Sequence, residues 1–159
     1  MQTLVKWLAP GIFFLAYWAF RSSLFKKSPK KHTFLMKVFR FAADNGSQDA
    51  LSVYGHLLHF RGEGVENKIQ GAIYLQRAAD KGDSKAQYQM GRIYEEGFEH
   101  YFSPSEEKSL NYYTAAAESG HVLAISKLIN IYQNGGLGRA PDETQLKYWQ
   151  SLQPSLPTR

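Results

Sequence analysis

Cysteine is absent from the 159-residue sequence. Disulfides, thiol catalysis and cysteine-ligated metal are therefore excluded, while an oxidising compartment is neither demanded nor forbidden. Acidic residues are missing from the first 43 positions, which hold eight of the nineteen Lys and Arg. From Asp44 onward eleven basic residues face fourteen acidic ones, a balance of −3, so the net charge of +5 belongs to one end of the chain. A nucleic-acid binder carries its basic stripe on the folded domain. Here the excess sits beside an apolar segment, where it suits anionic headgroups or acts as a topology signal, and nucleic acid is set aside as a partner. Long apolar runs are scarce as well: from Trp7 to Phe20 there are only 14 residues without a charge, against the roughly 20 that a membrane span needs.

A lysine near a helix end can snorkel, and Lys6 thereby brings the segment from Met1 into use. Pro10 and Gly11 are better tolerated in a membrane helix than in a soluble one, and Trp7, Tyr17 and Trp18 suit the two interfaces. The reading is a single-pass transmembrane anchor over residues 1–21, flanked by Lys6, Trp7, Trp18, Arg21, Lys26 and Lys27, with a basic linker at 22–32. A cleaved signal peptide is disfavoured, because Tyr17-Trp18-Ala19-Phe20 offers no small-x-small site. An interfacial or core helix is the other alternative under the length rule. Arg21, Lys26, Lys27, Lys30 and Lys31 follow the apolar run. The positive-inside rule then places the rest of the chain on the cytoplasmic side of the inner or plasma membrane, the periplasmic side being the alternative.

Beyond the linker, one motif recurs: Ala42-Ala43-Asp44-Asn45-Gly46, Ala78-Ala79-Asp80-Lys81-Gly82 and Ala116-Ala117-Glu118-Ser119-Gly120. The glycines step by 36 and 38 residues, and Ala50, Ala86 and Ala124 follow at a constant offset. Paired alanines let another helix approach closely, and Gly just past a last turn gives a left-handed C-cap. Arrays of this period are stacks of helix pairs. Phe34, Leu35, Val38, Phe39 and Ala42 form the face of a capping helix whose first partner is missing. Helices are then expected at about 48–60, 69–81, 83–97, 103–120, 122–134 and 142–153. Asp83 is an N-cap, Ser103-Pro104-Ser105-Glu106 opens a helix with Ser103 as cap, and Asp142 pairs with Gln145. Leu152 and Gln153 replace the two alanines and Pro154 stops the last helix, as befits a closing repeat.

Ala86, Met90-Gly91, Tyr94, Gly97, Leu110, Tyr112-Tyr113, Ala116-Ala117 and Gly120 together resemble the Sel-one-like repeat, a longer relative of the tetratricopeptide repeat. A first unit matches through Ala50, Tyr54-Gly55, Gly62-x-Gly64-Val65, Tyr74-Leu75 and Ala78-Ala79, but has Gly71 where the family usually has Ala and one extra residue before its turn. A third keeps Ala124, Leu128, Tyr132, Gly135 and Tyr148-Trp149 but has Ile129 in place of the family's glycine, so helices should approach less closely there. The resemblance implies an all-α, right-handed α/α solenoid of stacked antiparallel helix pairs over 33–153, with a tail at 154–159, here preceded by the transmembrane helix. It also implies an inner groove that takes a peptide or protein, and no catalytic residues.

The remaining chemistry is thin. His56 and His59 have i, i+3 metal spacing but no third ligand of comparable spacing, and they read as a structural pair. Glu95, Glu96, Glu99, Glu106 and Glu107 read as a solvated acidic face, and Gly135-Gly136-Leu137-Gly138 as a turn without the Lys-Ser/Thr of a phosphate loop. No constellation offers nucleophile, base and orienting group, so no enzyme activity, cofactor, metal or small-molecule substrate is expected. Tyr88, Tyr101 and Phe102 are aromatics outside the repeat consensus, and aromatics dominate binding hot spots. With Gln87 and Arg92 on the same opening helix as Tyr88, they are the candidate partner-binding residues. The expected function is a membrane-anchored, bacterial-style scaffold for a protein or peptide; the alternative is an envelope protein acting as an inhibitor or immunity-type binder.

Overall fold

The computed structural model describes residues 2–21 and 29–153, and Lys26 and Lys27 lie outside them. Among these residues are eight helices: α1 (Gln2–Arg21), α2 (Pro29–Asp44), α3 (Gln48–Arg61), α4 (Gly64–Asp80), α5 (Ser84–Glu96), α6 (Glu106–Glu118), α7 (Val122–Asn134) and α8 (Glu143–Leu152). They fall into two compact units, residues 1–81 and 82–159.

In the first unit the recurring motif closes α2. Gly46 takes φ 95°, a left-handed value that glycine adopts without a Cβ penalty. The Ser47 N–H then donates to the Ala42 carbonyl at 3.0 Å, and the Ser47 hydroxyl accepts from the Ala50 N–H at 3.3 Å to start α3. One helix is thus capped and the next begun within three residues. The paired alanines Ala42, Ala43, Ala78 and Ala79 are all buried. Closest approach comes between α3 and α4. A Cβ on Gly71 would stand 2.3 Å from the His59 backbone nitrogen and 2.8 Å from the Gly55 carbonyl oxygen. Only glycine fits at position 71, because two helix backbones touch there. His59 is buried, and its Nδ1 donates to the Lys68 carbonyl at 2.9 Å, which gives the histidine a structural duty. The extra residue of the first unit lengthens α3 to Arg61. The chain reverses at Gly64 (φ 77°), so α4 begins there and not near 69.

α1 overturns one expectation. No helix among the described residues is long and apolar enough to cross a membrane. α1 buries Ala9, Phe13 and Ala16, and Phe13 and Phe20 lie 5.4 and 5.6 Å from the ring of Phe39 on α2. Phe39 is wholly buried, a burial worth about 1.5–3 kcal/mol. The expected transmembrane helix is thus one packed on the fold. It is also the first partner that α2 was expected to lack, and α2 starts at Pro29, where proline suits the first helical position.

The second unit repeats the pattern with other residues. Asp83 caps α5 by accepting from the Ala86 N–H at 2.7 Å, and Asp142 caps α8 by accepting from Gln145 at 3.0 Å. α6 starts two residues later than its sequence suggests, with Ser105 as the cap accepting from Lys108 at 3.3 Å. Pro104 is engaged elsewhere: a Cβ on Gly97 would meet its ring at 2.8 Å, and the Ser105 N–H donates back to the Tyr94 carbonyl at 2.8 Å. The turn after α7 is braced alike, by the Asp142 N–H on the Tyr132 carbonyl at 2.8 Å. Leu110, Tyr113, Ala116, Ala117, Ala124, Ile125, Leu128, Ile131 and Trp149 form the core, with Ile129 packed half-buried against it. Tyr113 fills the space beside Gly91, where a Cβ would lie 2.6 Å from its ring. Trp149 is the one buried residue that α8 adds.

Candidate partner-binding surface

α5 carries its core residues Ala86, Met90, Ile93 and Tyr94 on one side, which leaves Tyr88 and Arg92, four residues apart, sharing another. Tyr88 is half-buried. Its ring packs 5.6 Å from Tyr113 and stacks at 4.8 Å, interplanar angle 19°, on His121 at the start of α7. Packing from two sides holds the ring rigid. Arg92 is exposed and reaches Glu96 at 3.8 Å, a surface pair worth little that a partner's carboxylate can replace.

Beneath Arg92 lies a group that the sequence did not announce. Glu95 accepts from the Tyr113 hydroxyl at 2.7 Å and pairs with Lys127 of α7 at 2.6 Å, while the Lys127 ammonium lies 5.6 Å over the Tyr113 ring. Burial pushes the Glu95 carboxyl up, but the hydrogen bonds from Lys127 and Tyr113 outweigh it and hold the group below the ordinary carboxylate value. Tyr113 is pushed well up by burial and by the Glu95 hydrogen bond. His121 is lowered by burial and by nearby Lys85, which favours the neutral ring on which Tyr88 stacks. Its Nδ1 is buried without a protein hydrogen-bond partner. The first unit has a smaller counterpart: Tyr74 donates to Asp44 at 2.6 Å, and burial with that bond raises Tyr74 to about 12.

The candidates from sequence are therefore divided. Tyr88 and Arg92 come together with Glu95, His121 and Lys127. Gln87 is next to them but buried, at 9% exposure. Tyr101 is 59% exposed in the loop after α5, beyond the far end of the helix from Tyr88, and makes no single patch with it. Phe102 is buried at 2%, edge-on to Tyr94 at 5.8 Å, because Phe98 and Phe102 pair backbone to backbone and fold the loop over its own aromatic. It cannot touch a partner while this loop holds. The acidic face is divided too: Glu95 turns inward, Glu96 pairs with Arg92, and Glu99 sits in a turn at φ 49°.

Capped helix pairs in tandem, with an exposed strip and a half-buried network beside it, define an all-α helical-repeat solenoid. Two consecutive stretches, residues 48–83 and 84–121, match the Sel1 repeat, in agreement with the resemblance read from the residues. The match ends before α7, where Ile129 stands for the glycine. Among solved structures, a Sel1 repeat protein from Oxalobacter formigenes is similar with a TM-score of 0.74 and 26% identity, covering 91% of this chain and 57% of that one. The immunity protein Pa5087 from Pseudomonas aeruginosa is similar in fold, with a TM-score of 0.60 and 22% identity over 95% of this chain and 57% of its own. Among curated proteins, the chitin synthase regulator SKT5 of Saccharomyces cerevisiae is 33% identical over 104 residues, 60% of this chain. The chain spans only 15% of that regulator's length.

Proposed function

We propose that the chain is a protein–protein interaction module that holds a protein or peptide partner on the α5–α7 side of its second unit and acts at a membrane, with the repeats on the cytoplasmic side. The observation that carries the binding surface is the pairing of a rigidly backed tyrosine, Tyr88, with an exposed arginine, Arg92, one helical turn away. Aromatic and arginine side chains of this kind dominate binding energy at interfaces. Glu95 and Lys127 fix the two helices beneath them, so the strip is formed before the partner arrives and little ordering free energy is lost on binding.

The test is recovery of partners from crosslinked cells with the full chain and with Tyr88→Ala/Arg92→Ala. Far-UV circular dichroism should match between the two while the recovered partner falls at least about tenfold. Equal recovery by the folded variant would remove the assignment. One tight partner in fixed stoichiometry would move the reading from scaffold to inhibitor.

A further inference from the structure

α1 is apolar on two faces and only one is covered. Ala9, Phe13 and Ala16 are buried, whereas Trp7, Phe14, Leu15 and Trp18 are 81%, 68%, 69% and 68% exposed. At about 100° per residue these four fall in one sector, opposite the buried three. A contiguous exposed patch of two tryptophans, a phenylalanine and a leucine is unlike an ordinary solvent face and marks an interaction site. From Trp7 to Trp18 it extends about 16 Å, roughly half of the ~30 Å hydrocarbon core. It is too short to cross a bilayer and long enough to lie along one.

Charge selects the occupant. Lys6 and Arg21, both exposed, bracket the patch, and no acidic residue occurs among the first 43, which hold eight Lys and Arg. Tryptophan prefers the headgroup level, and a helix with an aromatic face and basic flanks lies in the interfacial plane. We propose that α1 docks the chain on an anionic lipid surface as an in-plane helix, its Trp7–Trp18 face in the headgroup region and its Phe13 face kept on α2. This rests on the reading that the module acts at a membrane, and specifies how it is held there.

The full chain is tested with vesicles of phosphatidylcholine alone and with added phosphatidylserine. The three tryptophans make it self-reporting, because Trp149 is buried at 3% and stays silent while Trp7 and Trp18 enter the interface. Expected are cosedimentation at least about tenfold stronger with phosphatidylserine, a blue shift of tryptophan emission, and release by alkaline carbonate. Binding should be lost in Trp7→Ala/Trp18→Ala. In Lys6→Glu/Arg21→Glu, which reverses two exposed charges and gives up only the Arg21 guanidinium's place 6.0 Å over the Tyr17 ring, it should fall at least about tenfold. Absence of binding, equal binding to neutral vesicles, retention after carbonate, or a blue shift with protein concentration in the absence of lipid, which would give the face to a second copy, would each overturn the proposal. Tyr88→Ala/Arg92→Ala should bind vesicles like the parent, so failure here is separable from failure of the partner site.

Discussion

The alanine that the repeat family usually carries should be harmful at position 71. Helix propensity alone favours Gly71→Ala by about 1 kcal/mol. Against that, the new Cβ would lie 2.3 Å from the His59 nitrogen and 2.8 Å from the Gly55 oxygen. Both are helix backbone atoms and neither can turn aside as a side-chain tip could. α3 and α4 must separate, and overpacking of this kind costs about 1–3 kcal/mol. The separation also strains the His59–Lys68 hydrogen bond and opens the packing around Tyr54 and Tyr74, whose rings meet at 5.0 Å. With rigid backbone on both sides the cost lies at the top of that range, about 3 kcal/mol, so after the propensity gain the net loss is about 2 kcal/mol, or about 4–8 °C in melting temperature for a chain of this size. Gly11→Ala is the matching control, since a Cβ there meets nothing within 4 Å and should raise stability by about 0.5–1 kcal/mol. Thermal melts followed by circular dichroism at 222 nm read both. A Gly71→Ala melting temperature equal to or above the parent's would refute the close approach of α3 and α4.

Three further outcomes follow from the polar contacts. Glu95 titrates below its ordinary 4.5 in the folded chain, so it stabilises fully above that value and the stabilisation is lost as pH falls through the folded pKa. In melts between pH 3 and 6, Glu95→Gln should flatten that dependence, and an unchanged slope would dismiss the Glu95–Lys127 contact. Tyr74→Phe should cost about 1 kcal/mol and remove a phenol that resists ionisation until about pH 12. Its raised pKa means that its contribution is complete below the ordinary value of 10 and fades as pH rises through 12, which tyrosinate absorbance at 295 nm can follow. Asp83→Ala should lose about 1 kcal/mol through its cap on α5, read by urea unfolding; no change would mean that Asp83 does not cap.

The helix order was legible because each unit carries its own punctuation. Asp83 and Asp142 cap where the sequence places them, Ser47 adds a third cap beyond those read from it, and Gly46, Gly82 and Gly120 take the left-handed turns that the spacing implies. Of the misplaced boundaries, the start of α4 follows from the local reversal at Gly64, whereas the start of α6 involves a contact between residues not adjacent in the chain. Ser103 and Ser105 are equally good caps on local grounds, and the packing of Pro104 on Gly97 decides between them. Tyr88 and Arg92 were candidates because one is off the consensus and the other is a charge on its helix, and the structure adds that they share a face of α5. Phe102 could not be dismissed, because its burial depends on the hairpin formed with Phe98. Glu95 and Lys127 are 32 residues apart, and no local pattern joins them. The apolar run of α1 misled for a related reason: hydropathy registers a need for burial and does not say whether lipid or α2 supplies it.

The most direct test of the central claim is site-specific photocrosslinking in cells. A benzophenone amino acid at Arg92 should give a discrete covalent adduct with a protein partner, and one at Asn111, exposed on α6, should not. Adducts of equal yield from both positions, or none from position 92 in a chain that folds normally, would contradict the assignment of the α5–α7 side as the binding surface.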